Sequence, residues 1–229
     1  MELREYQRES VEAVWAHLRA RNDNPCIVLP TAAGKSIVLA EICRQAVTQW
    51  SGRVLVVTHV RELVEQNAAK LRQMLPTASV GIHSAGLNKR DIGHPVIAAG
   101  IQSVYKKACD LGRFDLIVID EAHLIPADGD GMYLSFFRDA KIVNPNVRLI
   151  GLTATPYRMT TGEICSPSGI LNHICHEVGV RELIEAGYLS PLVSKGPLRN
   201  KCRNLRRKSI YFRHGQKDSG DPAEVPPAG

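Results

Sequence analysis

The chain has 229 residues, of which 44% are hydrophobic and 23% charged. That composition is sufficient for a packed core and excludes a wholly disordered chain. No run of about 18 apolar residues occurs, which excludes a membrane-spanning helix, and the polar opening MELREYQRES is unlike a secretory signal peptide. The six cysteines lack C-x-x-C spacing, so we predict reduced thiols in a cytoplasmic protein.

The net charge of +6 is concentrated near the C-terminal end. Nine lysines and arginines but only three acidic residues lie within residues 195–229, so residues 1–194 carry no net charge. Overall basicity is therefore poor evidence for nucleic-acid binding. Residues 195–229 also lack apolar periodicity and are rich in proline and glycine, so we predict one folded domain over residues 1–194 and a disordered tail after it.

Helical and strand patterns alternate along the first 152 residues. In chain order, the pattern predicts a helix over Tyr6–Leu18, a strand over Cys26–Leu29, a helix from about Lys35 to Trp50, a strand over Arg53–Val57, a helix over Leu63–Leu75, and strands over Ser79–Ile82, Val96–Ala99, Leu116–Ile119 and Val147–Leu152. This alternation predicts an α/β fold: a mostly parallel sheet with helices on both faces and right-handed crossovers.

The first functional candidate is the sequence PTAAGKS, residues 30–36. It lies between a predicted strand and a predicted helix, which is the context that a phosphate-binding loop requires. In such a loop, backbone N–H groups face the phosphates, Lys35 supplies a positive charge, and Ser36 offers a hydroxyl to Mg²⁺. Leu29 stands where the G-x-x-x-x-G-K-[ST] pattern has its first glycine, and the alternative interpretation is a chance Gly-Lys-Ser at a helix start.

Two further candidates follow predicted strands. The sequence DEAH, residues 120–123, comes directly after Leu116–Ile119, and carboxylates at the carboxyl end of a strand lie where open α/β sheets bind ligands. Asp120 can hold a metal ion and Glu121 can orient and deprotonate an attacking water, whereas the alternative is a pair of surface acids. The sequence GLTATP, residues 151–156, can place threonine hydroxyls near these acids or be a plain turn.

Together these segments resemble a superfamily 2 DNA/RNA helicase, and in particular the first RecA-like domain of a DEAD/DEAH-box protein of the RadD-like bacterial DNA-repair branch. The resemblance rests on LRxYQ, PTAAGKS, VLVVTHVRELVEQ, QSV, DEAH and LTATPYR. It covers about residues 1–194. It implies a P-loop fold, ATP and Mg²⁺ as cofactors, and a nucleic-acid partner that we predict to be DNA, without a membrane partner or a stable oligomer.

The resemblance also implies a role for each matching residue. The nucleotide-binding residues would be Arg4, Gln7, Thr31, Ala32, Ala33, Gly34, Lys35 and Ser36. The catalytic residues would be Lys35, Asp120, Glu121 and His123, with Mg²⁺ held by Ser36 and Asp120. The residues that grip the phosphate backbone of one strand would be Thr58, His59, Arg61, Gln102 and Ser103. The residues that couple the two sites would be Thr153 and Thr155.

Two departures from the family pattern affect the expected activity. Ala32 stands where the family usually has glycine, which costs roughly 1 kcal/mol if that position requires a positive φ. The second RecA-like domain of such helicases has no counterpart in the sequence, so we expect a truncated product or an out-of-frame ending from about Gly196. ATP binding without unwinding is then expected. The alternatives are a non-catalytic ATP- or DNA-binding module and a fragment of a restriction-enzyme translocase.

A zinc site is a weaker hypothesis. Cys165, His173, Cys175 and His176 offer four possible ligands within twelve residues. Their spacing matches no standard zinc pattern, and core thiols with surface imidazoles are the simpler interpretation.

Overall fold

The computed structural model describes residues 2–125, 131–158 and 162–191. The helices are α1 (Glu5–Ala20), α2 (Lys35–Trp50), α3 (Arg61–Met74), α4 (Ile101–Val104), α5 (Ala108–Leu111), α6 (Met132–Val143) and α7 (Val180–Glu185). The strands are β1 (Pro25–Val28), β2 (Val54–Thr58), β3 (Val80–Ser84), β4 (Lys89–Arg90), β5 (Val96–Gly100), β6 (Leu116–Asp120), β7 (Arg148–Thr153), β8 (Tyr157–Arg158), β9 (Gly162–Glu163) and β10 (His173–Glu177). The predicted tail, residues 195–229, lies outside the described residues.

Eight strands form one sheet in the order β10-β1-β7-β6-β2-β5-β3-β4. All neighbours are parallel except β3 and β4, which pair antiparallel, and β8 and β9 form a separate small hairpin. The edge strands β4 and β10 are partly or wholly exposed. The central strands are buried along nearly their whole length, as β2 and β6 illustrate. Such continuous apolar runs are what a sheet covered on both faces requires, so the predicted α/β fold is confirmed.

Successive side chains of each strand enter different cores. In β2, Val54 and Val56 pack into a cluster with helices α1, α2 and α3, whereas Leu55 and Val57 pack into a second cluster with α4, α5 and α6. This two-residue period is the direct consequence of strand geometry. The sheet therefore lies between two helical layers. Because β1, β7, β6 and β2 are parallel neighbours, their carboxyl ends lie at the same edge of the sheet.

The boundaries of the predicted elements differ from the observed ones by at most two residues, and the helix α2 matches at both ends. The strand predicted over Arg53–Val57 begins and ends one residue later, and the helix predicted from Leu63 begins at Arg61. Among the described residues, eight elements have no counterpart in the prediction: the helices α4, α5, α6 and α7 and the strands β4, β8, β9 and β10. No helix within the described ranges is at once long and apolar enough to cross a membrane.

Candidate nucleotide and nucleic-acid sites

The loop between β1 and α2 is shaped by two residues with left-handed backbone conformation. Gly34, directly before α2, has φ +78°, and a Cβ there would lie 2.5 Å from Nε2 of Gln7. Ala32 has φ +67° although it carries a Cβ. Position 32 therefore does require a positive φ, and Ala32 carries backbone strain on the order of 1 kcal/mol. The loop delivers Lys35 and Ser36 to the first turn of α2, where the N–H groups lack intrahelical acceptors.

Lys35 faces the two acidic residues at the end of β6. Its Nζ donates a short hydrogen bond to Glu121 Oε1 and lies 3.4 Å from Asp120 Oδ1. The side chains of Lys35 and Asp120 are 14% and 7% exposed. In this partly dehydrated setting, one cation between two carboxylates is held more firmly than a surface ion pair would be.

Asp120 is further fixed by neighbours. Its Oδ2 accepts a hydrogen bond of 2.9 Å from Asn67 Nδ2 on α3, and its Oδ1 accepts one of 3.0 Å from the Glu121 N–H. Glu121 itself has φ +54°, a left-handed conformation that a glutamate adopts only where its surroundings impose it. Across from these acids, burial in the first place and the Asp120 carboxylate in the second raise the pKa of Tyr133 on α6.

A depression of about 440 Å³ lies between the loop, the acids and α3. It is lined by Pro30, Thr31, Ala32, Gly34, Lys35, Ser36, Leu63, Gln66, Asn67, Lys70, Asp120, Glu121 and Ala154. One hydroxyl and one carboxylate, on Ser36 and Asp120, are thus available in the same depression. Mg²⁺ bound to a nucleotide is usually held by one or two such oxygen ligands together with phosphates and water, so these residues fit that ion.

His123 connects the acidic segment to the end of β7. Its Nδ1 lies 3.0 Å from Thr153 Oγ1 and 3.3 Å from Glu121 Oε2. Thr153 is fully buried, and its hydroxyl donates to the Thr155 carbonyl at 3.1 Å while accepting from the Thr155 N–H at 3.2 Å. The two threonines therefore do meet the DEAH segment, but through the histidine ring rather than through the carboxylates themselves.

The residues expected at the nucleic-acid groove converge at the carboxyl ends of β2 and β5. Thr58 pairs with Gly100 in the sheet register, and Gln102 Nε2 donates to the His59 carbonyl at 2.9 Å. Ser103 Oγ accepts the Ala85 N–H at 2.8 Å. His59 and Gln102 are exposed, whereas Thr58 is buried.

Arg61 completes this surface. It is exposed, and its side chain packs against Gly86: a Cβ on the glycine would lie 3.2 Å from Arg61 Cδ. This surface thus exposes an imidazole, a guanidinium and an amide beside the half-buried hydroxyl of Ser103, and groups of these kinds can contact phosphates in a domain without net positive charge.

The N-terminal segment reaches the phosphate loop through the Ala33 carbonyl. That carbonyl accepts hydrogen bonds from Tyr6 Oη at 2.8 Å and from Gln7 Nε2 at 3.0 Å. Gln7 Oε1 accepts the Arg4 N–H at 3.1 Å, and the Gln7 side chain is almost wholly buried. Gln7 therefore connects the start of α1 to the loop, while the exposed guanidinium of Arg4 lies beside it.

The four possible zinc ligands do not converge. Cys165 packs against the core cluster on one face of the sheet and Cys175 against the cluster on the other. His173 stacks on His17, with ring centroids 5.4 Å apart. Within the described ranges no group of three or more His, Cys, Asp or Glu side chains is arranged to hold a metal ion. The zinc hypothesis is therefore wrong for this arrangement, because β10 spreads its residues along an edge strand.

Two of the cysteines are deeply enclosed in the fold. Among the described residues, Cys26, Cys43, Cys109, Cys165 and Cys175 form no disulfide bond. Burial raises the pKa of Cys175 to about 12 and raises that of Cys43 further, so these thiols are unreactive at neutral pH.

Sequence reasoning missed two residues at the site. Asn67 was indicated only as part of the buried face of an amphipathic helix, yet it orients Asp120. Tyr6 was part of the LRxYQ motif and of the predicted helix but was given no role at the site, yet its hydroxyl donates to the phosphate loop. The available signal for Asn67 was an amide on an otherwise apolar helix face, since a buried amide requires a partner.

Comparison with known proteins places this geometry in a family. The family model described as "Type III restriction enzyme, res subunit" (ResIII) matches residues 1–158. The chain is 26% identical over 195 residues to IRC3 of Saccharomyces cerevisiae, a candidate ATP-dependent helicase, and the match covers 82% of this chain and 28% of IRC3. The chain spans about a third or less of the length of the curated relatives it matches.

Solved structures show the same fold. The UvsW helicase of bacteriophage T4 superposes with a TM-score of 0.61 at 22% identity, covering 77% of this chain and 60% of UvsW. The Type ISP restriction-modification enzyme LlaGI, solved in complex with a DNA substrate mimic, superposes with a TM-score of 0.61 at 17% identity, covering 82% of this chain and 21% of LlaGI. The chain thus belongs to the ResIII family and has the fold of an N-terminal superfamily 2 helicase domain.

Proposed function

We propose that this chain is an ATP-binding motor domain whose nucleotide site is the depression between residues 30–36 and the end of β6. The observation that carries the proposal is the position of Lys35 opposite Asp120 and Glu121. A lysine at the start of a helix, facing two carboxylates from another strand, provides a cation for phosphate and acids for metal and water in a single depression.

Binding of a triphosphate would use the backbone first. The N–H groups at the start of α2 point toward an anion in the loop, and the helix dipole favours negative charge there. Lys35 would exchange its carboxylate partners for the β- and γ-phosphates. Mg²⁺, held by Ser36 and Asp120, neutralises phosphate charge when bound.

Glu121 would orient the attacking water and accept its proton. In the structure this carboxylate is paired with Lys35, so it would become available as the phosphates draw the lysine away. Because His123 also lies beside Glu121 Oε2, the same rearrangement would reach Thr153 and Thr155. We propose that this chain of contacts couples the nucleotide to the nucleic-acid surface.

Hydrolysis by these 229 residues should be slow. In the resembling helicases an arginine from a second RecA-like domain completes the site, and an arginine finger is worth ~10³–10⁵ in rate. We therefore expect ATP binding, weak ATPase activity and no strand separation.

The proposed partner is DNA. LlaGI shares the fold and is solved in complex with a DNA substrate mimic. The Type ISP enzyme LlaBIII, with a TM-score of 0.58 at 18% identity, is solved bound to DNA. The surface around His59, Arg61, Gln102 and Ser103 offers the kinds of group that bind a phosphate backbone. The RadD-like branch, a role in DNA repair and a cytoplasmic location stay predictions from the sequence.

A second candidate function is a piece of a restriction-enzyme translocase. The description of the matching family model and the likeness to two Type ISP enzymes favour it. The same motor chemistry would serve, so the two candidates differ in the protein that carries the domain rather than in this site.

Nucleotide titration tests the proposal. Isothermal titration of the purified chain with MgATP should give saturable binding of one nucleotide, and single-turnover hydrolysis should be slow and accelerated by single-stranded DNA. Binding that survives intact in Lys35→Ala, or a complete lack of nucleotide binding by the wild type, would contradict the proposal.

A further inference from the structure

Tyr188 lies far in sequence from the phosphate loop but contacts the residues that adjoin it. It follows α7, in the turn after Gly187, and is 37% exposed. Its ring centroid lies 5.2 Å from that of Tyr6, edge to face. The Arg4 guanidinium carbon lies over the Tyr188 ring, 4.9 Å from its centroid.

Arg4 is held from two sides by these tyrosines. One side is the Tyr188 ring, and the other is a hydrogen bond of 3.3 Å from Arg4 Nη1 to the Tyr6 hydroxyl. The same hydroxyl donates to the Ala33 carbonyl. The exposed guanidinium of Arg4 is therefore connected to the phosphate loop through Tyr6, rather than free to sample solvent.

A planar cation fixed beside a phosphate site has a specific use. Purine bases stack readily on a guanidinium plane, and a side chain that is already ordered loses less entropy when the base binds. Gln7 is less suited to supply this contact, because its side chain is buried and both ends of its amide are already hydrogen-bonded.

We infer that Tyr188 is a positioning residue for the nucleobase: it holds the Arg4 guanidinium in place so that the adenine of ATP stacks on it. The inference rests on the proposed function, since it presumes that the triphosphate occupies the loop. Tyr188 lies near the C-terminal end of the described residues. It acts on the base through its contact with Arg4 and need not touch ATP itself.

The test compares two ligands that differ only in having a base. MgATP and Mg²⁺-tripolyphosphate are titrated calorimetrically into the wild type, Tyr188→Leu and Tyr188→Phe. Tyr188→Leu should raise the Kd for MgATP about fivefold, the scale of losing one exposed cation–π contact, and leave the Kd for tripolyphosphate unchanged. Tyr188→Phe keeps the ring and should restore ATP binding to within about twofold.

Two further variants keep the test decisive if Tyr188→Leu folds poorly. Arg4→Lys, at an exposed position, keeps the charge but removes the plane, and should weaken binding of ATP but not of tripolyphosphate. Tyr105→Leu is the matched control, because Tyr105 also carries a cation over its ring, Lys106 at 5.3 Å, but packs against the core on the other face of the sheet from Tyr6. It should change neither Kd.

The outcomes separate the inference from the proposed function. Equal losses for both ligands in Tyr188→Leu, or a Phe variant as weak as the Leu variant, would overturn the inference while leaving the phosphate site intact. A wild-type chain that binds neither ligand would overturn the proposed function itself.

Discussion

The two edges of the sheet use charged side chains in opposite ways. At the amino edge, Arg53 and Arg148 donate to main-chain carbonyls within the fold. At the carboxyl edge, Lys35 faces Asp120 and Glu121 across a depression of about 440 Å³. The same sheet thus places cations with a structural role at its amino edge and a cation that can exchange its partners at its carboxyl edge.

Arg53 shows the structural use most clearly. Its guanidinium donates to the carbonyls of His94 at 3.1 Å and Leu111 at 2.7 Å, and its carbon lies 4.4 Å from the centre of the Phe114 ring. Burial lowers the pKa of Arg53, although it stays protonated at any accessible pH. Its acceptors are main-chain carbonyls of separate loops, so this arginine holds those loops together.

The largest expected effect is the loss of ATP binding in Lys35→Ala. Removing the cation that faces the phosphates should raise the Kd for MgATP at least about a hundredfold, since charge-assisted contacts to phosphate are among the strongest in proteins. Calorimetric titration measures it. Lys141→Ala, at the end of α6, is the control and should bind as the wild type does.

Next in size is the loss of stability in Arg53→Ala. Several carbonyls lose their donor and Phe114 loses its packing partner, so the free energy of unfolding should fall by about 3 kcal/mol. Urea denaturation measures it, and the folded fraction should keep its affinity for MgATP. The control, Arg113→Ala, removes an exposed arginine paired with Asp115 and should cost under about 1 kcal/mol. A reduced affinity of folded Arg53→Ala for MgATP would contradict the purely structural role of Arg53.

A smaller effect is expected at the strained alanine of the phosphate loop. Ala32→Gly should raise the free energy of unfolding by about 1 kcal/mol, because glycine adopts the observed φ of +67° without strain. Ala33→Gly, one residue later and buried, is the matched control and should lower stability by about 1 kcal/mol. If both variants are destabilised equally, Ala32 is not strained.

The smallest effect is a pH dependence at the amino edge. The Arg21 guanidinium first, and His17 in addition, lower the pKa of Asp23 to about 2 from its usual 3.8. The folded state therefore gains stability from the ionised carboxylate above pH 4, and loses it as the pH falls from about 4 to 2. Denaturation midpoints of the wild type should drop more over this interval than those of Asp23→Asn. Parallel curves would show that the pair contributes nothing.

The sequence predicted the central sheet because each central strand is a continuous apolar run. It did not predict β10, whose residues His173–Glu177 are half-exposed and pair with β1 across about 150 residues. Nothing local in such a segment indicates a strand. The helix α6 was not predicted either, but here the signal was present, because Tyr133, Phe136, Phe137 and Ala140 do show helical spacing.

The residues of the candidate site also fall into those that the sequence indicated and those that it did not. Lys35, Asp120 and Glu121 were found because a loop and a strand end carry local motifs, and the parallel topology then brings those ends to one edge. Asn67 and Tyr188 were not found, because their contacts with Asp120 and Arg4 depend on how α3 and the segment after α7 pack. Partners that come from packing between distant segments leave no signature at fixed spacing.

The most direct measurement is a crystal structure of the chain with a non-hydrolysable MgATP analogue. The account predicts the β- and γ-phosphates at the start of α2, with the Lys35 ammonium moved from Glu121 to the phosphates and the metal beside Ser36 and Asp120. A nucleotide bound elsewhere, with the Lys35–Glu121 ion pair intact, would contradict it.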